Sequence, residues 1–249
     1  MKLIGFLQIY NEVEKGNLRR CLESMSKYCD EVVIYDDAST DSSVEVAREF
    51  TDLIVEGAEN EWGKEAEHRQ QLLELALEQN PDWIFWLDAD EVIERRGEEG
   101  GLRKLCDGAE YSSYAFHEVN FWRNPYYFRV DNSYNDGWFC RLWENTGSLA
   151  IPIKPGLHQR LVPDGLTPEG QSDLQVLHYG FASDKNILNK FTTYRAHGQT
   201  GWALSRLVDE RSLRVGRSDP AWFTTPPPHV EMNEVYKFPL LNQVKHEDN

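Results

Sequence analysis

No apolar run in these 249 residues approaches the roughly 18 needed to cross a bilayer, so no transmembrane segment is expected. The opening MKLIGFLQIYNE is too short for a secretion leader and carries no small-residue cleavage site. Together these point to a cytoplasmic protein. Cysteine is sparse: Cys21, Cys29, Cys106 and Cys140, with no C-x-x-C among them. That excludes a zinc ribbon or a dithiol redox motif, and reads as free thiols in a reducing compartment. Positive charge is also in short supply, with 26 Lys and Arg against 42 Asp and Glu and a net charge of −16. Nucleic acid and anionic membrane are therefore poor partners.

Core-forming residues are plentiful. Apolar residues make up 40% of the chain, with eight Trp, eleven Tyr and eleven Phe, which argues against disorder. Over the first 95 residues apolar strand-like runs alternate with amphipathic stretches. KLIGFLQIY, EVVIYDD, DLIVEG and IFWLDAD read as strands. Between them, residues 16–29, 39–50 and 62–80 read as helices, the last with Trp62, Ala66, Leu73, Ala76 and Leu77 inward. Such alternation predicts βαβ units and a mostly parallel α/β sheet.

Ligands of such sheets bind beyond the carboxyl ends of the strands. Here three strands end in polar residues: Asn11-Glu12, Asp36-Asp37 and Asp88-Ala-Asp90. All three should meet on one rim. Two aspartates spaced i, i+2 past a buried strand can serve one hard cation, Mn²⁺ or Mg²⁺, with diphosphate oxygens completing its shell.

WLDADEV fits the first motif of haloacid-dehalogenase-like phosphatases, but three βα units precede it and the later acidic pair of that family is missing. A nucleotidyltransferase would carry a glycine-rich basic loop where QIYNEVEKGN stands. The sequence instead resembles the family 2 glycosyltransferases of the GT-A fold at four points, in order and at matching spacing. These are the strand ending in IYNE, VVIYDDASTDSS, HRQQLLELA and IFWLDADE.

The resemblance implies that Asp37 contacts the base or ribose of a nucleotide, with Glu12 and the backbone near Ile9 in the same pocket. It implies that Arg69 lies near the nucleotide or its phosphates. Asp88 would reach the ribose or a metal-bound water, and Asp90 would ligate the metal. The implied partners are a nucleotide-diphosphate sugar, UDP-sugar before GDP-sugar, and a glycan or small-molecule acceptor. The alternatives that stay open are the phosphatase, the nucleotidyltransferase and a nucleotide-sugar-binding relative without activity.

The second half reads as a short helix at 98–108, then aromatic-rich strands at 111–122, 126–130, 137–143, 149–153 and 173–181. A helix at 183–199 capped by Ser183 follows, then another over 204–214; from Pro220 the prolines exclude regular helix. The expected division is a nucleotide-binding half at 1–95, an acceptor and sugar half at 96–219, and a Pro-rich extension at 220–249. The family's usual Glu-Asp base is missing before the terminal HEDN. CRLWENTGSLAIPIKPGLHQRL resembles a layout of bacterial relatives that carries His-Glu, with His158-Gln159 here. That makes His158 a candidate catalytic residue, with Asp136 a nearby acid. The family's late metal-binding histidine would be His178. Trp122, Tyr126 and Trp138 are candidates for a sugar-stacking wall.

Overall fold

The computed structural model describes all residues except 62, 132–136, 154–161, 165, 167–168, 197, 212, 238–239 and 241–249. Strand β1 (Leu3–Ile9) is followed by α1 (Leu18–Met25), β2 (Glu31–Asp36), α2 (Ser43–Ala47), β3 (Ile54–Glu56), α3 (Glu65–Glu78) and β4 (Trp83–Asp88). β3, β2, β1 and β4 lie side by side and run parallel. Then come β5 (Glu91–Ile93), α4 (Leu102–Asp107), β6 (Ser113–Asn120), β7 (Tyr127–Arg129), β8 (Trp138–Glu144) and β9 (Glu169–His178). The full sheet order is β3-β2-β1-β4-β8-β6-β9-β5, with β8 antiparallel to both β4 and β6.

β1 shows why the strands read as unbroken apolar runs. Leu3, Leu7 and Ile9 pack on the face covered by Leu18, Leu22 and Met25 of α1 and Leu102 of α4. Ile4 and Phe6 pack on the other face against Ala66, Leu72, Leu73 and Ala76 of α3. A parallel strand buried on both faces has no polar side to show. Gly5 lets α1 approach: a Cβ there would stand 3.1 Å from Cys29 Sγ and 3.2 Å from Met25 Cε.

The chain forms two units, one of residues 1–117 and 138–176, the other of 118–137 and 177–249. The second contains a β ribbon of β7 with β10 (Val215–Arg217). It also holds α5 (Asp184–Ala196), α6 (Trp202–Ser205) and α7 (Met232–Val235). Its core gathers Trp122, Phe181, Ile187, Leu204, Leu207 and Val208. Buried Arg129 forks onto Asp131, at 2.9 and 3.0 Å, and Arg123 onto Asp184, at 2.6 and 2.7 Å.

Three local expectations are corrected. Residues 149–153 are no strand: Ala150 makes a single bridge to Asp164. Leu149 and Ile151 are apolar because they pack on the α3 side of the sheet, and the Ile151 N–H goes to Gln70 Oε1. The helix expected over 204–214 stops at Ser205. The Asp209 carboxylate captures the Arg211 N–H at 3.2 Å, a local turn that competes with helix. The proline-rich tail does contain helix, one turn at Pro220–Trp222 and another at Met232–Val235. The first opens with Pro220, where the missing N–H costs nothing, and Asp219 accepts from the Ala221 N–H at 2.8 Å.

Candidate active site

The register brings the acidic strand ends together. Ile9 pairs with Asp36 across β1 and β2, and Gln8 pairs with both Tyr35 of β2 and Asp88 of β4. The carboxyl ends of the three central strands therefore finish at one level.

On the β1–β2 side, Asn11 adopts φ 49°, a left-handed turn that asparagine tolerates. Its Oδ1 accepts the N–H groups of Thr40 and Asp41, at 2.7 and 3.2 Å. Asp36 turns inward, accepts the Ser39 N–H at 2.9 Å, and is pushed up in pKa by burial. The Asp37 N–H goes to the Ile9 carbonyl at 2.9 Å, while the Ile9 side chain stays in the core. The Asp37 carboxylate accepts from Asn60 Nδ2 at 2.8 Å and from the Glu61 N–H at 3.1 Å. Burial raises its pKa, an effect the Glu61 N–H and nearby His68 partly offset. Glu12 is held by Lys15 Nζ at 2.6 Å. Asp41 accepts the Ser43 and Glu14 N–H groups, at 2.9 and 3.0 Å.

On the β4 side, Asp88 and Asp90 are half-buried at the turn into β5. Arg69, on the inner stripe of α3, reaches Glu65 at 2.9 Å and Asp88 Oδ1 at 3.3 Å. Its guanidinium lies 3.8 Å over the Trp86 ring, and its Nε and Nη1 are buried without a hydrogen-bond partner among the described residues. Arg141 of β8 lies over the same ring at 4.2 Å and stands 3.8 Å from Asp88 Oδ2. Buried Glu91 takes Arg141 Nη2 at 2.5 Å and the Asp88 N–H at 2.8 Å.

Among the described residues no cluster of three or more His, Cys, Asp or Glu forms a metal cage. Two half-buried carboxylates at one turn still suit Mg²⁺ or Mn²⁺, which take one or two protein carboxylates and leave positions for phosphate and water. In the second unit His178 is buried, with Nδ1 2.8 Å from Asn120 Oδ1 and Nε2 3.4 Å from Lys190 Nζ. His158 and Asp136 lie outside the described residues. Of the aromatic wall, Trp122 is fully buried in the second unit's core and is excluded as a stacking surface, whereas Trp138 is exposed.

Sequence reasoning missed four groups. His68 is buried, stacks on Tyr35 at 4.3 Å, and brings Nδ1 within 3.7 Å of Asp37. It precedes buried Leu72 by one helical turn, a signal that could have found it. Asn60, Trp86 and Arg141 carried no comparable mark, because their roles depend on pairing between distant segments.

Carboxylates on the carboxyl ends of parallel strands, in a sheet continued through the antiparallel β8 to β6 and β9, define a GT-A glycosyltransferase fold. Residues 6–155, more than half the chain, match the family model for glycosyl transferase family 2, and the chain belongs to that family. It is thus of the glycosyltransferase class. It is 27% identical over 211 residues to the lipopolysaccharide core biosynthesis glycosyltransferase LpsC of Rhizobium meliloti (strain 1021), covering 80% of this chain and 72% of that protein. It is also 27% identical over 107 residues to the SPbeta prophage-derived glycosyltransferase SunS of Bacillus subtilis (strain 168), covering 42% of this chain but only 24% of SunS. Among solved structures, S. aureus TarS 1-349 superposes over 83% of this chain and 69% of its own, with TM-score 0.50 and 13% identity, which bears on the fold alone.

Proposed function

We propose that the chain transfers a sugar from a nucleoside-diphosphate sugar to an acceptor hydroxyl by a single inverting displacement. The observation that carries this is the placement of Asp37 and the Asp88–Asp90 turn at one level, on the carboxyl ends of the two strands that flank β1. Asp37, fixed by Asn60 and Glu61, accepts from the base or ribose; Glu12 and the backbone near Ile9 border the same pocket. A carboxylate acceptor suits bases with an imino N–H, uracil and guanine alike; the order UDP-sugar before GDP-sugar comes from the family resemblance.

Asp88, between Arg69 and Arg141, faces the ribose or a metal-bound water, and Asp90 holds Mn²⁺ or Mg²⁺. A divalent ion bound there would supply positive charge to the diphosphate leaving group. The family resemblance also offers His178 as a ligand; its Nε2 faces Lys190 Nζ at 3.4 Å. The base that takes the acceptor proton is assigned to His158 or Asp136. The acceptor is a glycan or a small molecule, and the name of the similar LpsC favours a glycan. In the test, purified protein is screened for transfer from UDP- and GDP-sugars with Mn²⁺. Transfer that Asp90→Asn abolishes while the fold is kept supports the reading; full activity in that variant refutes the metal role.

A further inference from the structure

The pairing of β6 with β8 skips one residue. Tyr114 faces Leu142 and Ala115 faces Cys140, which leaves Arg141 between them. An extra residue in one strand is a β-bulge, a device that re-aims a side chain and recurs beside active sites. The side chain re-aimed here is a guanidinium with only 3% of its surface exposed. With Arg69 it places two guanidiniums over the Trp86 ring, at 4.2 and 3.8 Å.

Both converge on Asp88. Arg69 Nη2 lies 3.3 Å from Oδ1, Arg141 Nη1 lies 3.8 Å from Oδ2, and Glu91 joins the Arg141 fork to the Asp88 N–H. Asp88 thus accepts from Arg69 at Oδ1, faces the Arg141 charge at Oδ2 and donates its amide to Glu91. A planar fork serves two carboxylates while stacking on an indole, which an ammonium does not do. Buried ion pairs are also a weak source of stability, since hydrophobic replacements of equal volume often do as well. The bulge and the buried charge are better accounted for by what they aim.

We propose that Arg141 is a positioning residue for the donor site and acts through Asp88, without touching the donor. This rests on the donor-site reading above. Arg141→Lys keeps a cation beside Glu91 but loses the fork. The test is a double-mutant cycle of Arg141→Lys, Asp88→Asn and the double variant, read as UDP and GDP affinity with Mn²⁺ and as separate kcat and KM. Each single variant is expected to weaken nucleotide affinity about tenfold, and the double to be no weaker than Asp88→Asn within about twofold, because coupled residues do not add.

Multiplied losses would mean that Arg141 acts on the nucleotide independently of Asp88, and that result overturns the proposal. So does Arg141→Lys binding like the wild type. If the wild type itself binds neither nucleotide, the donor-site reading fails and takes this inference with it; binding unchanged by the substitution sinks this inference alone. Should Arg141→Lys melt early, Arg141→Gln with Glu91→Gln removes both buried charges together and enters the same cycle.

Discussion

Glu91→Ala should destabilise the first unit by about 3 kcal/mol or somewhat more. The Glu91 and Arg141 side chains are 1% and 3% exposed, so removing the carboxylate leaves a buried guanidinium without its main partner. Orphaning one member of such a pair costs about 3–5 kcal/mol. Asp88 Oδ2, 3.8 Å from Arg141 Nη1, offers partial compensation and pulls the figure to the low end. The Asp88 N–H also loses its acceptor, about 1 kcal/mol more where water does not replace it. The assay is urea unfolding followed by circular dichroism, with the two units fitted as separate transitions. The midpoint of the first unit should fall with little change in slope. In a thermal scan the loss corresponds to roughly 6–12 °C. Glu91→Leu with Arg141→Leu should recover much of it, because neither charge is then left alone. A Glu91→Ala loss under about 1 kcal/mol would refute the reasoning, since that is the scale of an exposed pair.

Other outcomes follow from the same geometry. Phe85 is fully buried with its ring 5.8 Å from Tyr28 and 5.5 Å from Phe116, so Phe85→Ala should cost about 3–5 kcal/mol in the same melt. Asp37 is raised in pKa, chiefly by burial, so nucleotide affinity should be full where it is ionised and fall on acidification at a higher pH than a free aspartate would give. Calorimetry across about pH 4 to 7 checks this, and a fall-off no higher than that of a free aspartate would contradict it. The same raised pKa works in the opposite sense on the fold: stability supplied by protonated Asp37 is lost as pH rises through its folded value, so Asp37→Asn should melt no earlier than wild type at neutral pH while losing the nucleotide.

The parallel half of the sheet was legible because strands buried on both faces leave continuous apolar runs, and their carboxyl ends are where the acids stand. Helix limits were less legible: the stretch 39–50 shrinks to Ser43–Ala47 because Asn11, Asp36 and Asp41 bind the backbone N–H groups of 39–41 and 43. The stretch 149–153 misled because packing and pairing leave the same apolar mark. Asp37, Arg69, Asp88 and Asp90 could be picked from local pattern, since each sits at a strand end or on a helix stripe. Arg141 could not: a bulge is a mismatch between two strands, and neither strand records it alone. Glu91 carries no mark of its own in WLDADEV, and only the β8 partner shows that it is a buried ion-pair member.

The measurement that bears most directly on the central claim is calorimetric binding of UDP and GDP, each with Mn²⁺ and again with EDTA, on wild type and Asp37→Asn. The account predicts that one nucleotide binds, that EDTA weakens it, and that Asp37→Asn abolishes it with the fold intact. A folded wild-type protein that binds neither nucleotide under either condition would contradict the assignment of this strand-end site to a nucleotide-sugar.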